Sequence, residues 1–350
     1  MSEARVRMVR TFSLIAAALL LVAAPASAQR RPAPIDLSFS HFLGPTSFFQ
    51  TDLIEPWARE LERRTRGQVK VRILSGADPE GEVTRQATQV ESGAVDIALG
   101  LRGAEGDRFP LTSVVELPMT VTSGEQGSVA LWRLLRDGAL GTEYRRYKVL
   151  ALFVHNPGIV HTISRRVVEP ADMAGLRMRS PSPPLSMALT ALGARPEVLQ
   201  VNDVMPAVTA GRLDGVVTNW GNPLPNFYGQ LRHHTTVPFY TAAFFIIMDA
   251  KRFAALPPDV RKAIDAMSGE ALSRRVGRLW KRWDRAGIEQ TLDGRHDTIR
   301  PTAASMARWR AALAPATDRY LSVLSKERAE ARPTYERLKR YLAAVVTKEP

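Results

Sequence analysis

Two short stretches near the beginning of the chain alternate apolar and polar residues. Residues 35–40 and 69–74 each follow the period of two that half-buried β-strands show. Between them, apolar residues recur at helical spacing over 47–66, where Pro56 predicts a kink and Gly67 predicts the end of the helix. The order strand, helix, strand is typical of a parallel sheet and indicates an α/β fold.

A pattern of helix, glycine, two residues, aspartate and strand occurs twice. The first copy contains Gly93 and Asp96, and the second contains Gly211 and Asp214. Glycine suits the residue that ends a helix, because it accepts a left-handed backbone without a Cβ clash. The aspartate would lie in the turn before the strand. Two such copies indicate two α/β lobes of related construction.

The second half of the chain carries further strand and helix patterns. The predicted strands lie at 148–154, 160–164 and 240–248. A long helix is predicted over 259–285, with apolar residues along one face. It exceeds what one lobe needs, so we expect it to span both. A last helical region is predicted over 303–346, with a break at Pro333.

The N-terminus has the pattern of a secretory signal peptide. Arginines precede an apolar run over 12–24 that is shorter than a membrane-spanning helix needs, and Ala26 and Ala28 suit cleavage. We expect residues 1–28 to be removed, leaving a soluble, exported protein. No cysteine follows the run, so no lipid anchor is predicted. The whole chain lacks cysteine, so its stability must come from packing rather than disulfides.

The composition is strongly basic. The formal net charge is +13 at pH 7, which favours anionic partners. The arginines are interspersed with acids along helical stretches such as 60–64 and 327–330, without the basic and aromatic pattern of a nucleic-acid module. We therefore expect solvated helix faces and no nucleic-acid partner.

Strong catalytic and metal-binding motifs are absent from the sequence. No nucleophile elbow, phosphate-binding loop, paired-histidine zinc helix or Cys-x-x-Cys pair occurs. His233 and His234 are adjacent, so on a strand they would point to opposite faces, while a Pro-Gly turn separates His155 from His161. The sequence predicts no enzyme, no metal site and no cofactor. Each histidine is interpreted as a hydrogen-bonded loop residue.

The stretch 175–196 combines two arginines with a proline-rich turn. A short strand carrying Arg177 and Arg179 runs into Ser-Pro-Ser-Pro-Pro, and an apolar helical stripe follows. Ligands of open α/β sheets bind at the carboxyl ends of strands, where Arg179 lies, and guanidinium forms paired hydrogen bonds with carboxylate. Spacing alone leaves a ligand carboxylate and a structural acid as equal alternatives for its partner. Ser182 would cap the next helix or face the ligand.

Four segments occur in the order and spacing of a known family. They are Gly67–Val71, Gly93–Asp96, Glu169–Arg179 and Gly211–Gly215. From about residue 36 to 290, the chain thereby resembles the DctP-like solute-binding proteins of TRAP transporters. The resemblance implies an α/β, two-lobed periplasmic binding protein fold with mixed sheets flanked by helices. Strands would cross between the lobes, and a long helix would bridge them.

The resemblance also implies a function. The chain would bind a small organic acid anion in the cleft between its lobes and deliver it to the small and large membrane subunits of a TRAP transporter. Two alternatives stay open: an exported α/β enzyme that uses the same cleft, and a ligand sensor that signals to a membrane receptor. The enzyme alternative requires an acid and base pair in the cleft, and the sequence offers none.

The family pattern gives roles to individual residues. The arginine that matches Arg179 binds the ligand carboxylate. The matches to Asn219 and Trp220 would orient a ligand group and stack on the ligand body, although a core role for Trp220 is an equal alternative. The first lobe is expected to contribute from 41–49 and 100–103. The further ligand-binding candidates are His41, Phe42, Asn156 and Ser182.

The implied lobes are discontinuous in sequence. Lobe I would consist of residues 29–153 with about 241–258, and lobe II of residues 154–240 with about 286–350. The helix over 259–285 would bridge them.

Two positions depart from the family members that bind large sialic-acid-type ligands. Those members have a second arginine close after the glycine that matches Gly158, where this chain reads Ile159, Val160 and His161. They also have a phenylalanine where this chain has Val201. Both differences imply a smaller or more apolar carboxylate with one charged head.

Overall fold

Two mixed β-sheets form the framework of the molecule. The computed structural model describes residues 33–222, 224 and 226–345, so the predicted signal peptide, 1–28, lies outside the described residues. The strands are β1 Ile35–His41, β2 Val69–Leu74, β3 Ile97–Leu101, β4 Tyr147–Val154, β5 Gly158–Thr162, β6 Arg177–Ser180, β7 Arg195–Val198, β8 Gly215–Thr218, β9 His233–Tyr240, β10 Ala243–Asp249 and β11 Asp297–Ile299. The first sheet has the order β2-β1-β3-β10-β4, and the second has the order β11-β9-β5-β8-β6-β7.

Helices cover the sheets. They are α1 Glu55–Arg64, α2 Gln86–Ser92, α3 Gly124–Arg136, α4 Pro183–Ala191, α5 Val204–Thr209, α6 Phe227–Gln230, α7 Ala250–Ala254, α8 Pro258–Ala266, α9 Glu270–Glu289, α10 Ala303–Glu327 and α11 Ala331–Ala344. Across the part of the chain that the structure describes, none of these helices is both long enough and apolar enough to cross a bilayer.

Both sheets combine parallel and antiparallel pairs. In the first, β1 is parallel to β2 and β3, while β10 is antiparallel to β3 and β4. In the second, β6 is parallel to β7 and β8, while β5 is antiparallel to β8 and β9. The predicted α/β architecture with mixed sheets is confirmed. Its parallel part in each sheet comes from strand–helix–strand units, as the opening pattern predicts.

The chain crosses between the sheets twice in closely apposed segments. It leaves β4 for β5 through residues 155–157 and returns from β9 to β10 through 241–242. The two crossings are hydrogen-bonded to each other, because the Ala242 amide donates to His155 Nε2 at 3.0 Å and Thr241 Oγ1 donates to the His155 carbonyl at 2.6 Å. They form a two-stranded connection between the sheets.

The repeated glycine and aspartate pattern has the same structural role in both sheets. Gly93 and Gly211 end their helices with φ of +76° and +68°, the left-handed backbone that glycine accepts without strain. Asp96 accepts a hydrogen bond from the Ser38 amide of β1, and Asp214 accepts one from the Arg177 amide of β6, both at 2.8 Å. Each aspartate therefore fixes the neighbouring parallel strand.

The predicted helix over 259–285 is divided, so its continuity was wrong. Its residues belong to α8 and α9, which are separated at Gly269. Gly269 has a φ of +86°, which an α-helix cannot contain, and its amide donates to the Leu150 carbonyl of β4 at 2.7 Å. The break therefore attaches the start of α9 to the first sheet.

Prolines explain two other differences from the sequence predictions. The sequence analysis did not predict β9, because this strand contains Pro238 and proline cannot donate to a strand ladder. The pairing of β9 with β5 is irregular in this part of the strand. The break predicted at Pro333 lies earlier, between α10 and α11. Pro333 is the third residue of α11, where the missing amide costs little.

Candidate ligand-binding site

A small cavity lies where the two sheets and α9 meet. Its volume is about 60 Å³, several times the roughly 10–15 Å³ that one water molecule requires. The lining is mostly apolar and aromatic. The lining residues are Phe42, Leu43, Phe49, Leu101, His155, Arg179, Pro181, Val201, Thr218, Asn219, Tyr240, Ala242, Phe244 and Trp280.

The two polar candidates Arg179 and Asn219 reach the cavity from neighbouring parallel strands. Arg179 is next to the last residue of β6 and pairs in register with Val216 of β8. Asn219 follows Thr218, the last residue of β8. Parallel strands end at the same edge of a sheet, so both side chains lie at the carboxyl edge, where ligands of α/β sheets bind.

Arg179 is a buried cation without an acidic partner in the described residues. It is 7% exposed, and its Nε donates to the Leu199 carbonyl at 3.2 Å. Burial lowers the pKa of Arg179 from its ordinary value, but a guanidinium stays protonated in proteins. A buried charge that lacks a counter-charge is costly. An anion bound beside Arg179 would offset the cost of its buried charge.

Two other arginines show what a structural pairing looks like in this protein. Arg177, two residues earlier on β6, bonds Asp214 with Nε at 3.0 Å and a second nitrogen at 2.6 Å. Arg102 forms a buried bidentate pair with Glu116, with both distances 2.9 Å. Within the described part of the chain, the guanidinium of Arg179 has no such pair.

The remaining polar groups at the cavity carry no charge at neutral pH. Burial lowers the pKa of His155 to about 4, so its ring is neutral at pH 7. Because Nε2 accepts a hydrogen bond from the Ala242 amide, the ring proton lies on Nδ1. Nδ1 donates it to the Asn156 carbonyl. Burial raises the pKa of Tyr240 to about 12. Arg179 is therefore the one permanent charge among the described lining residues.

Aromatic rings form one wall of the cavity. The rings of Phe49 and Phe244 have centroids 5.7 Å apart, and the Trp280 ring lies edge-on to Phe49 at 5.4 Å. Phe42 is 3% exposed and lines the same space. Rings at these separations form the tilted and edge-to-face contacts that aromatic groups prefer. The wall offers such contacts to a flat apolar ligand body.

Three of the seven predicted site residues line the cavity: Arg179, Asn219 and Phe42. The other four are not among its lining residues. His41 is fully buried and bonds Gln50 at 3.0 Å. Ser182 is buried at the N-cap position of α4, but its hydroxyl makes no capping hydrogen bond and has no partner among the described residues.

Asn156 and Trp220 do not line the cavity either. Asn156 donates to Asp284 at 2.8 Å and accepts from the Gly124 amide at 2.7 Å. Trp220 is 9% exposed and packs in a separate apolar cluster, with its ring centroid 5.3 Å from that of His161 and 6.2 Å from that of Tyr228. Of the two alternatives for Trp220, the structure shows the core environment.

Several lining residues were missed from the sequence. His155 was interpreted as a loop residue, and Tyr240 and Phe244 lie at the second crossing, whose position the pattern does not reveal. Trp280 had a usable signal, because it lies four residues after Val276 on the apolar face of α9. A helix pattern identifies such a residue as buried but cannot show that it faces a cavity.

Comparison with known proteins identifies related chains. The family model for bacterial extracellular solute-binding protein, family 7 (DctP) matches residues 39–322. The "Outer membrane transporter protein TsaT" of Comamonas testosteroni is 28% identical over 266 residues, covering 73% of this chain and 76% of that relative.

Two solved structures share the fold. A TRAP solute-binding protein from Rhodoferax ferrireducens T118, in complex with copurified benzoate, is 28% identical with a TM-score of 0.84, covering 89% of this chain and 98% of the other. A marine metagenome TRAP solute-binding protein specific for aromatic acid ligands, in complex with 3-hydroxybenzoate, is 26% identical with a TM-score of 0.85, covering 90% of this chain and 99% of the other. The predicted family and fold are confirmed, and the chain belongs to the DctP family of bacterial extracellular solute-binding proteins, family 7.

Proposed function

We propose that this chain is a periplasmic receptor for a small aromatic monocarboxylate, which it delivers to the membrane subunits of a TRAP transporter. The observation that carries the proposal is the buried Arg179 guanidinium, which faces the cavity and lacks an acidic partner among the described residues. A ligand carboxylate would supply the missing charge and accept paired hydrogen bonds in a site shielded from water.

The walls of the cavity support an aromatic ligand body. One cation matches one carboxylate, and no second charged side chain lines the described cavity to bind a second acid group. Hydroxyl-rich ligands would need several polar partners, because buried polar groups that lack hydrogen bonds are costly. The rings of Phe42, Phe49, Phe244 and Trp280 instead match a flat apolar group.

The solved relatives support the same ligand class. Benzoate and 3-hydroxybenzoate are bound by the two structures that match this chain with TM-scores of 0.84 and 0.85. Within the cavity, we assign the carboxylate to Arg179, a second polar contact to Asn219, and the ring to Phe42 and the other aromatic residues. Benzoate is therefore the first ligand to test.

Binding to the purified mature protein tests this function. In a thermal-shift screen, benzoate and 3-hydroxybenzoate should raise the melting midpoint, because a ligand that binds only the folded state stabilises it. Benzamide has the same ring without the charge, and succinate has a second acid group, so both should produce a smaller shift. No shift with any aromatic acid would contradict the proposal.

Two arginines on one strand provide a matched pair of variants. Arg179→Ala should weaken benzoate affinity by a factor of about ten or more in calorimetry, because a charge-assisted hydrogen bond is lost. Arg177→Ala removes an arginine whose partner is Asp214, so its benzoate affinity should match that of the wild type. Unchanged affinity in Arg179→Ala would show that the carboxylate binds elsewhere.

Delivery to a permease requires a separate test. Proteoliposomes that contain the TRAP membrane subunits encoded with this receptor should accumulate labelled benzoate only when the receptor is added. Receptor with the Arg179→Ala substitution should support little uptake at ligand concentrations that saturate the wild type. Binding without receptor-dependent uptake would favour the sensor alternative.

A further inference from the structure

The carboxylate of Asp284 on α9 lies outside the cavity but bonds Asn219, which lines the cavity. Asp284 is buried, and three neutral groups donate to it. Asn219 Nδ2 and the Gly221 amide donate to Oδ1 at 2.9 and 2.6 Å, and Asn156 Nδ2 donates to Oδ2 at 2.8 Å. None of these partners is a cation, so Asp284 is not half of a described ion pair.

The two amide contacts have a directional consequence. A carboxylate only accepts hydrogen bonds, so both asparagines must turn their NH2 groups toward Asp284. Asn156 is fixed from the other end as well, because its Oδ1 accepts from the Gly124 amide of α3 at 2.7 Å. Asn219 is left with its carbonyl oxygen and one N–H free of described protein partners, and it lines the cavity.

Close backbone packing holds Asp284 in place. Trp280, one turn before it on α9, lines the cavity. Gly277 packs against α3, where an added Cβ would lie 2.6 Å from the Gly124 carbonyl oxygen. Gly287 packs against the segment after β8, where an added Cβ would lie 2.1 Å from the Trp220 carbonyl oxygen. One face of α9 is thus in close contact with α3 and with the segment after β8.

We propose that Asp284 is a positioning residue for ligand binding, which orients the Asn219 amide in the cavity and ties it through Asn156 to the crossing between the sheets. This inference rests on the proposed function, because it assigns Asn219 a contact with the bound acid. Asp284 itself touches no ligand. Its hydrogen bond to the Asn219 NH2 group fixes which atoms of that amide face the cavity.

The substitution Asp284→Asn keeps the shape of the side chain and replaces one acceptor with a donor. Benzoate affinity, measured by calorimetry, should fall about tenfold, because the new NH2 group must face a donor, either the Asn156 NH2 group or the Asn219 NH2 group with the Gly221 amide. Asp52→Asn is the control: Asp52 is a carboxylate that bonds α9, through Trp283 Nε1 at 2.7 Å, but it bonds neither Asn156 nor Asn219. Its affinity should stay within a factor of two of the wild type.

A double-mutant cycle separates positioning from general support of the fold. If Asp284 acts through Asn219, Asp284→Asn should change affinity less than twofold when Asn219→Ala is already present, since coupled residues are not additive. A tenfold loss in both backgrounds would overturn the inference, and so would wild-type affinity in the single variant Asp284→Asn.

A ligand-free measurement keeps this inference distinct from the proposed function. In NMR spectra of protein labelled at asparagine, the side-chain amides of Asn156 and Asn219 should be protected from hydrogen exchange, and Asp284→Asn should remove the protection of Asn219. Failure of the wild type to bind benzoate would overturn the proposed function, but it would not change the expected protection of the Asn219 side chain by Asp284. Rapid exchange of the Asn219 side chain in the wild type would overturn the positioning role, even if Asp284→Asn does not fold.

Discussion

Two arginines on β6 show how strongly a residue depends on its immediate surroundings. Arg177 bonds Asp214, the aspartate of the repeated motif, whereas Arg179 faces the cavity. In the sequence they are two arginines with the same strand parity, and only the position of Arg179 nearer the strand end separates them. Asp214 distinguishes them, because its place in the turn before β8 lets it reach one guanidinium and the backbone amide of the same residue.

Glu105 allows a prediction at the scale of one ionisable group. Burial raises its pKa from 4.5 to about 7, and its Oε1 accepts from the Ala87 amide at the start of α2 at 3.0 Å. The folded state therefore binds more protons than the unfolded state between about pH 4.5 and 7. The free energy of unfolding should decrease as pH rises through this window, by up to about 3 kcal/mol from this group.

The substitution Glu105→Gln isolates that contribution. Glutamine keeps a carbonyl oxygen for the Ala87 amide but does not titrate. Urea unfolding at pH 5 and pH 8 should show a smaller loss of stability in Glu105→Gln than in the wild type. Equal losses in the two proteins would mean that Glu105 titrates normally.

At the scale of elements, α9 has the largest influence on the site. It carries Trp280 into the cavity wall, and it packs against α3 at Gly277 and against the segment after β8 at Gly287. Its amphipathic pattern predicted a buried helix, but the break at Gly269 was hidden, because a single glycine is tolerated within many helices. The left-handed backbone at that glycine attaches α9 to the first sheet.

The close contact at Gly287 predicts a cost for any larger residue. Gly287→Ala would place its Cβ 2.1 Å from the backbone oxygen of Trp220, so α9 or the segment after β8 must shift. The free energy of unfolding in urea should decrease by about 1–3 kcal/mol, as for other overpacked sites. Gly44→Ala is the control, because nothing lies within 4 Å of its added Cβ; equal stability of the two variants would contradict this interpretation.

For the whole molecule, the cavity draws its walls from both sheets. Phe42 follows β1 and Phe244 lies in β10 of the first sheet, whereas Arg179 lies in β6 and Asn219 follows β8 of the second. A bound acid would therefore make contacts on both sides, and such contacts favour whichever arrangement brings the sides together. The boundaries of the two lobes, given above from the family pattern, stay a prediction.

Small-angle X-ray scattering tests movement of the lobes. Saturating benzoate should decrease the radius of gyration of the wild type, because the closed arrangement becomes more populated. Arg179→Ala at the same benzoate concentration should show no decrease. An unchanged radius in benzoate-saturated wild-type protein would show that binding occurs without closure.

The sequence alone determined the opening order of strand, helix and strand, the repeated glycine and aspartate turns, and the location of Arg179 at a strand end. These features depend on local periodicity and on the conformational freedom of glycine, both of which are properties of neighbouring residues. The family pattern added the solute-binding fold.

The tertiary structure decided which side chains share a surface. His161 and His234 lie 73 positions apart in sequence, yet their ring nitrogens are 2.8 Å apart across β5 and β9, so neither is the loop residue that the sequence suggested. Asn156 and Asn219 both turn toward Asp284 on α9. Such contacts join segments 65 or more residues apart, and the orientation of an amide or a ring depends on partners that only the folded chain brings within hydrogen-bonding distance.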